Sequence, residues 1–291
     1  MSDPFASPAS VAEALTGVDY LPDARIAQVA FLALRLGKPI LVEGPAGVGK
    51  TELAKSLARI SDRRLIRLQG YEGLDESRAL YEWNYKKQLL RIQADEGHDW
   101  EKIEGDIFSE DFLLTRPLLE AIRSQEPVVL LVDEIDRVEL ETEALLLEVL
   151  SDFQVSIPEL GTISATSTPL VVLTSNNTRE LSEALKRRCL FLHIAYPTPD
   201  REKDILLARV PELPERLAAE IARVARSIRN LDLKKSPSVS ETIDWARTLL
   251  ALGIEHIDTD VIGDTVNVLL KYQTDIERAL KELSAGAPPP A

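Results

Sequence analysis

Residues 40–51 read Ile-Leu-Val-Glu-Gly-Pro-Ala-Gly-Val-Gly-Lys-Thr, an apolar run that passes into a glycine-rich segment. Residues 44–51 match the pattern G-x-x-x-x-G-K-[ST], and a helix-forming run follows directly. In this pattern glycines let backbone N–H groups surround phosphate oxygens, the lysine supplies positive charge, and the hydroxyl binds Mg²⁺. The strand-loop-helix context favours this interpretation over a chance glycine-rich turn. The predicted phosphate-binding residues are Gly44, Pro45, Ala46, Gly47, Val48, Gly49, Lys50 and Thr51.

The apolar run before this loop is the first of five. The runs span residues 39–43, 64–68, 127–132, 169–174 and 189–194, with helical stretches between them. Short apolar runs that alternate with helices are typical of a parallel sheet covered by helices on both faces. The sequence therefore predicts an α/β fold with a parallel five-stranded sheet.

A change of pattern follows the last run. Pro197 and Pro199 interrupt the alternation, and nearly all of the chain from Arg201 to Leu283 is typical of helix. The residues after Leu283 lack large apolar side chains that could offset the entropy of ordering them. We therefore expect three parts, namely a nucleotide-binding domain (1–197), a small all-α lid domain (198–283) and a mobile tail (284–291).

Two connections within the first domain are longer than a simple crossover requires. Residues 68–127 predict a helical insertion. Phe153, Val155 and Ile157 alternate with polar residues ahead of a turn at residues 158–161, which predicts a β-hairpin insertion.

Composition limits the partners and the compartment. The net charge of −14 and the pI near 4.8 argue against a nucleic-acid backbone as the main partner and favour protein partners. A single cysteine and three scattered histidines provide no zinc-type ligand cluster. No apolar run approaches the ~18 residues that a membrane-spanning helix needs, and we expect a cytoplasmic protein.

A second motif lies at the end of the third run, where residues 128–132 lead into Asp133 and Glu134. Ligands of open parallel sheets bind beyond the carboxyl ends of the strands. Asp133 would hold Mg²⁺ through its water shell, and Glu134 would polarise the attacking water. Alone, this pair could be a solvated helix start. Downstream of the phosphate loop, it favours hydrolysis over kinase-type transfer.

Together, residues 44–51 and the pair Asp133 and Glu134 resemble the AAA+ ATPases, and residues 9–283 are similar to the MoxR branch of that family. The resemblance implies ATP and Mg²⁺ as cofactors and a homo-oligomer, usually a hexameric ring. It also implies that Asn176 senses the terminal phosphate, with Asn177 as a substitute that could equally form a turn or cap.

The resemblance further implies that Arg188 reaches the ATP of the neighbouring subunit, with Arg187 in reserve. Two arginines at a helix C-terminus are also favourable to the helix dipole alone.

A lid arginine touches the phosphates in many relatives. Here Ser238 occupies the matching position. Lys234, Lys235 and Arg247 remain open as substitutes.

The resemblance implies that the two insertions grip a partner, through Tyr81, Trp83, Tyr85 and Leu160. Packing of Trp83 and Tyr85 onto the sheet is the alternative. Arg116 could contact an adjoining subunit or simply begin a helix.

The motifs predict an Mg²⁺-dependent ATPase. The resemblance to MoxR proteins implies that it acts as a chaperone, remodelling a protein client or helping to insert its metal. The resemblance implies a partner with a von Willebrand factor A domain and a metalloenzyme client. Residues 68–75 and 236–247 look most like the branch linked to carbon monoxide dehydrogenase maturation, while relatives serving nitric oxide reductase or Rubisco remain possible. A DNA-directed motor or clamp loader, and an ATP-dependent switch, are the alternatives.

Overall fold

The computed structural model describes residues 3–94 and 105–285. These residues form two compact units. The first contains the described residues up to Glu43 and those within Lys50–His193. The second contains Gly44–Gly49 and the described residues from Ile194 onward.

A five-stranded parallel sheet is the centre of the first unit, as predicted. The described strands are β1 (Ile40–Glu43), β2 (Arg64–Gln69), β3 (Tyr81–Trp83), β4 (Leu113–Thr115), β5 (Val128–Asp133), β6 (Gln154–Ile157), β7 (Gly161–Ser164), β8 (Leu170–Ser175) and β9 (Leu190–His193). The sheet has the order β2-β5-β8-β1-β9. The first strand of the chain therefore lies between the last two.

Burial explains why these runs form strands. All six residues of β5 and all six of β8 are buried, which is typical of parallel strands covered on both faces. On the edge strand β2, Ile66 and Leu68 are buried whereas Arg64 and Arg67 are exposed.

Helices of the first unit include α1 (Pro8–Thr16), α2 (Ala24–Leu36), α3 (Lys50–Ile60), α4 (Glu76–Ala79), α5 (Tyr85–Ala94), α6 (Pro117–Arg123), α7 (Leu140–Asp152) and α8 (Glu183–Arg188). Leu118 and Ile122 of α6 and Leu146 of α7 pack with Leu130 and Leu173 of the sheet in one buried core. Helix packing on the sheet thus excludes water from its central strands.

The first insertion contains α4, α5 and the antiparallel pair β3 and β4. Trp83 is buried and packs edge-on against Tyr81 and Phe108, with ring centroids 6.2 and 5.4 Å away. Tyr85 is 61% exposed. The packing interpretation is therefore confirmed for Trp83 and wrong for Tyr85.

Arg116 precedes α6 and bonds within its own chain. It donates to Glu82 Oε2 at 2.7 Å and to the Ser77 carbonyl at 3.1 Å. In the second insertion, β6 and β7 pair antiparallel, which confirms the hairpin. Leu160, near the hairpin turn, packs partly buried against the core.

The second unit contains α9 (Pro199–Arg209), α10 (Glu215–Arg229), α11 (Val239–Ala251), α12 (Thr259–Leu269) and α13 (Gln273–Ala285). Its apolar core includes Leu206, Ile221 and Trp245, and the Trp245 indole donates to Thr265 Oγ1 at 2.8 Å. Helix α13 extends two residues beyond the predicted end at Leu283. The rest of the predicted tail, residues 286–291, lies outside the described residues.

Within residues 3–94 and 105–285, no helix combines the length and the apolar character that crossing a membrane requires.

Candidate nucleotide site

Side chains from the phosphate-loop motif and from two strand ends meet in the first unit. Lys50, the first residue of α3, donates from Nζ to Asn176 Oδ1 at 2.8 Å. Thr51 Oγ1 donates to Asp133 Oδ1 at 3.0 Å. Asp133 ends β5 and Asn176 follows β8, the strand beside it, so the parallel arrangement brings both residues to one edge of the sheet.

Lys50 carries a buried ammonium group, with 6% of the residue exposed. Burial lowers the pKa of Lys50, while Asp136, Asp133 and Glu134 act in the opposite direction. Desolvation therefore prevails over the attraction of three carboxylates. An anionic ligand beside Nζ would act against this desolvation and favour the charged form.

Asp133 is held on both carboxylate oxygens. Thr174 Oγ1 donates to Oδ1 at 2.5 Å, beside the bond from Thr51, and Arg67 donates to Oδ2 at 2.6 Å. Arg67 reaches Asp133 from β2, the strand that pairs with β5 in parallel. These three donors fix the direction of the carboxylate.

Glu134 has a left-handed backbone conformation, with φ 57° and ψ 50°. This conformation is uncommon for a residue other than glycine and turns the chain sharply after β5. Its backbone N–H donates to Thr174 Oγ1 at 3.0 Å. Its Oε2 accepts from Gln69 Nε2 at 3.1 Å and lies 3.1 Å from Arg137 Nε, so the carboxylate is also oriented.

Asp136 stabilises the loop that carries Asn176. Its Oδ2 accepts from the backbone N–H groups of Asn176 at 3.2 Å and Thr178 at 2.9 Å, and from Thr178 Oγ1 at 2.6 Å. Burial would raise the pKa of Asp136, but these hydrogen bonds outweigh it and hold the pKa below its ordinary value. A negative charge thus fixes the backbone next to Asn176.

The loop Gly44–Gly49 belongs to the second unit. Gly44 has φ 154°, and a Cβ atom at this position would lie 2.0 Å from the carbonyl oxygen of Ile194. Only glycine fits so close to a backbone oxygen. Pro45, Ala46 and Val48 complete the turn towards Gly49.

Arg188 lies outside this cluster of contacts. It is exposed at the end of α8 and donates to Ser151 Oγ and, at 3.0 Å, to the Ala184 carbonyl. Arg187 is 82% exposed and lies 3.9 Å from Glu183. Over the described ranges, neither arginine bonds to Lys50 or Asp133.

Ser238 is the N-cap residue of α11. The three alternative cations have neighbours of their own in the second unit. Lys234 lies over the ring of Tyr272 at 4.2 Å, Lys235 lies 3.7 Å from Glu241, and Arg247 lies 3.5 Å from Asp244.

The donor atoms around Asp133 fit a magnesium ion. Mg²⁺ prefers oxygen ligands and is usually held by one or two carboxylates together with substrate phosphates and water. Thr51 Oγ1 and Asp133 Oδ1 lie together at the end of the sheet. Groups of three or more acidic, histidine or cysteine ligands are absent from the described part of the chain.

Arg67, Gln69 and Thr174 were missed by the sequence interpretation. Arg67 and Gln69 follow the alternation of β2, and Thr174 is the polar residue near the end of the apolar run of β8. Their polarity was the only signal in the sequence. It could not be interpreted without the strand order, which decides which side chains lie beside Asp133.

Two relatives of this chain are named as ATPases. The chain is 25% identical over 263 residues to the gas vesicle ATPase GvpN1 of Halobacterium salinarum, covering 86% of this chain and 73% of that protein. It is 24% identical over 269 residues to the gas vesicle ATPase GvpN of Haloferax mediterranei, covering 87% and 74%.

Among solved structures, the chain resembles the Thermotoga maritima RuvB Holliday junction branch migration motor, with a TM-score of 0.50 and 20% identity. The match covers 84% of this chain and 67% of that one and concerns the fold. The family model described as ATPase family associated with various cellular activities (AAA) matches residues 40–196. Because this match covers more than half of the 291 residues, from β1 to the end of the sheet, the protein belongs to the AAA family of ATPases.

Proposed function

We propose that ATP hydrolysis by this protein depends on Mg²⁺ and uses Glu134 to orient and polarise the attacking water. The observation that carries this proposal is the pairing of Glu134 with Gln69 and Arg137 directly after the oriented carboxylate of Asp133. A general base must be positioned before its pKa matters.

The other residues would act on the phosphates and the ion. Lys50 and the loop Gly44–Gly49 would hold the phosphates, and Asn176 would contact the terminal one. Thr51 and Asp133 would hold Mg²⁺, which when bound offsets the charge of the phosphate oxygens. In support, Lys50, Thr51, Asp133 and Asn176 are joined in pairs at 2.8 and 3.0 Å.

We further infer that the active form is a ring in which Arg188 reaches the ATP of a neighbouring subunit. Six subunits is the usual number in the family. Its exposure at the end of α8 supports this role, because an exposed guanidinium is accessible to another subunit. Arg187 is the reserve candidate.

The action on a client is proposed from the MoxR resemblance. The protein would remodel or mature a metalloenzyme together with a von Willebrand factor A domain protein, as in the carbon monoxide dehydrogenase branch. Tyr85, Leu89 and Leu90 on α5 are 61%, 59% and 66% exposed, and apolar surface of this kind suits a protein partner.

A second candidate client is a gas vesicle, because two relatives are gas vesicle ATPases at 24–25% identity. The RuvB likeness raises a DNA motor as a third possibility, but the net charge of −14 disfavours it.

Capture by a Glu134→Gln variant loaded with ATP tests these clients. Recovery of a von Willebrand factor A domain protein or a metalloenzyme, with ATP but not without it, supports the chaperone proposal. Salt-sensitive binding to DNA, with no ATP-dependent protein partner, contradicts it.

A further inference from the structure

Gly47 of the phosphate loop lies against Ser238. Gly47 has φ 71°, and a Cβ atom built on it would lie 2.3 Å from Ser238 Cβ and 2.5 Å from Ser238 Oγ, with Ser238 Cα at 3.6 Å. Both residues belong to the second unit. The side chain of Ser238 therefore leaves no room for any side chain at position 47.

Ser238 is itself held in place by a reciprocal cap. Its backbone N–H donates to Glu241 Oε2 at 2.7 Å, and its Oγ accepts from the Glu241 N–H at 3.2 Å. Its carbonyl accepts from Thr242 Oγ1 at 3.0 Å. Such a capping box fixes the first turn of a helix, here α11, and Ser238 with it.

A buried ion pair lies behind this turn. Arg229 and Glu202 have side chains only 3% and 0% exposed, and Arg229 donates to the two oxygens of Glu202 at 2.5 and 2.7 Å. Arg229 also donates to the Pro237 carbonyl at 2.8 Å and to Thr242 Oγ1 at 3.1 Å. The guanidinium therefore connects α9 to Pro237, the residue immediately before Ser238, and to Thr242, which lies one helical turn after it.

We propose that Arg229 is a positioning residue for nucleotide binding, because it holds Ser238 against Gly47 and thereby fixes the shape of the phosphate loop. This inference rests on the proposed nucleotide site. The contact is made by a neutral serine through packing. Residue 238 therefore supports the conformation of the loop although it is not an arginine.

The first test changes charge at Ser238 while keeping the helix cap. Asn and Asp cap helices about equally well, so Ser238→Asn and Ser238→Asp differ mainly in charge. If residue 238 faces the phosphate loop, Ser238→Asp weakens binding of a fluorescent ADP analogue by about tenfold relative to Ser238→Asn, through repulsion of the phosphates. Asp258→Asn, a charge change at the N-cap of α12, is the control and leaves the affinity unchanged.

The second test separates positioning from stability. Arg229→Lys keeps a cation beside Glu202, but one ammonium cannot replace the fork of donors to Glu202, Pro237 and Thr242. We expect the affinity for the ADP analogue to fall by about fivefold or more. Trp245→Phe is the control, because it weakens the same core through the lost bond to Thr265, lowering the melting temperature without lowering affinity.

The third test removes the steric conflict from the other side. Gly47→Ala abolishes nucleotide binding because of the clash and of the left-handed backbone, and adding Ser238→Gly partly restores it, since the nearest remaining atom is Cα. Any one of three results would overturn the inference. These are equal ADP affinities in Ser238→Asp and Ser238→Asn, an unchanged affinity in Arg229→Lys, and no recovery of binding in the double variant. Lys50→Ala distinguishes failure of this inference from failure of the proposed nucleotide site, because normal ADP binding by that variant contradicts the site itself.

Discussion

Lys50 and Asn176 are 126 residues apart in sequence and are joined by a hydrogen bond of 2.8 Å from Nζ to Oδ1. The amide oxygen is a neutral acceptor for a buried ammonium group. A phosphate oxygen is a stronger acceptor because it is charged. Both residues are therefore available to the same ligand, the lysine by its charge and the asparagine by its amide.

Lys50→Ala should lose most of its nucleotide affinity, by about tenfold or more, because a charge-assisted contact to phosphate disappears. Titration with a fluorescent ATP analogue measures the loss. Lys55→Ala, on the same helix but paired with Glu52 at the surface, serves as the control and binds normally. Equal affinities in the two variants would exclude Lys50 from the site.

Asn176→Ala should reduce ATP turnover by about tenfold while ADP binding changes little, since the lost contact is to the terminal phosphate. Asn177→Ala is the matched control. Asn177 is exposed with a left-handed backbone at φ 59°, so its replacement affects stability more than turnover. Steady-state ATPase assays compare them, and a larger defect in Asn177→Ala would reverse the assignment.

Glu134→Gln should bind ATP and hydrolyse it about 100-fold or more slowly, because the amide keeps the shape but cannot polarise water. Glu139→Gln changes a nearby carboxylate at the start of α7 and should retain activity. Binding and phosphate release are measured on the same preparations. Normal turnover in Glu134→Gln would contradict the assignment of Glu134 as the water-activating residue.

Asp136→Asn should lower the free energy of unfolding at pH 7 by about 1–3 kcal/mol, because an acceptor of three hydrogen bonds is disturbed. The folded pKa of Asp136 is below its ordinary value, so the stabilisation is present above about pH 4 and is lost as the pH falls through the folded pKa. Denaturant titrations of both proteins from pH 7 downwards should therefore converge below about pH 4. A difference that does not depend on pH would show that the charge is not responsible.

Arg188→Ala should bind ATP and hydrolyse it about 100-fold more slowly if it acts on a neighbouring subunit. Mixing it with Lys50→Ala subunits should restore part of the activity, because the latter supply an intact arginine to a competent site. Arg187→Ala is the control and should stay active. Mixed oligomers that remain inactive would argue against action between subunits.

The sheet was predictable because its central strands are unbroken apolar runs. Full burial of β5 and β8 removes the need for polar alternation, so each run could be recognised without knowledge of its neighbours. The phosphate loop and the strand end at Asp133 were recognisable for a similar reason, since each depends on residues adjacent in sequence.

Contacts across strands were not predictable in the same way. Arg67 reaches Asp133 only because β2 pairs in parallel with β5, with Gln69 opposite Asp133. The contact of Gly47 with Ser238 similarly joins residues from distant parts of the sequence. For Tyr85 the sequence left packing and a partner contact open, because an aromatic residue on a helix can pack or face solvent with the same sequence pattern.

The position of β1 also affects how the protein folds during synthesis. Ile40 pairs with Val172 on one side and with Leu190 on the other. β1 leads into the phosphate loop, and its partners β8 and β9 lie in the second half of the chain. β1 therefore stays unpaired until the ribosome has made them. Long-range parallel pairing of this kind slows folding and exposes apolar surface to aggregation. A nascent chain that stops before β8 therefore displays β1 as a segment that chaperones of the cell can recognise.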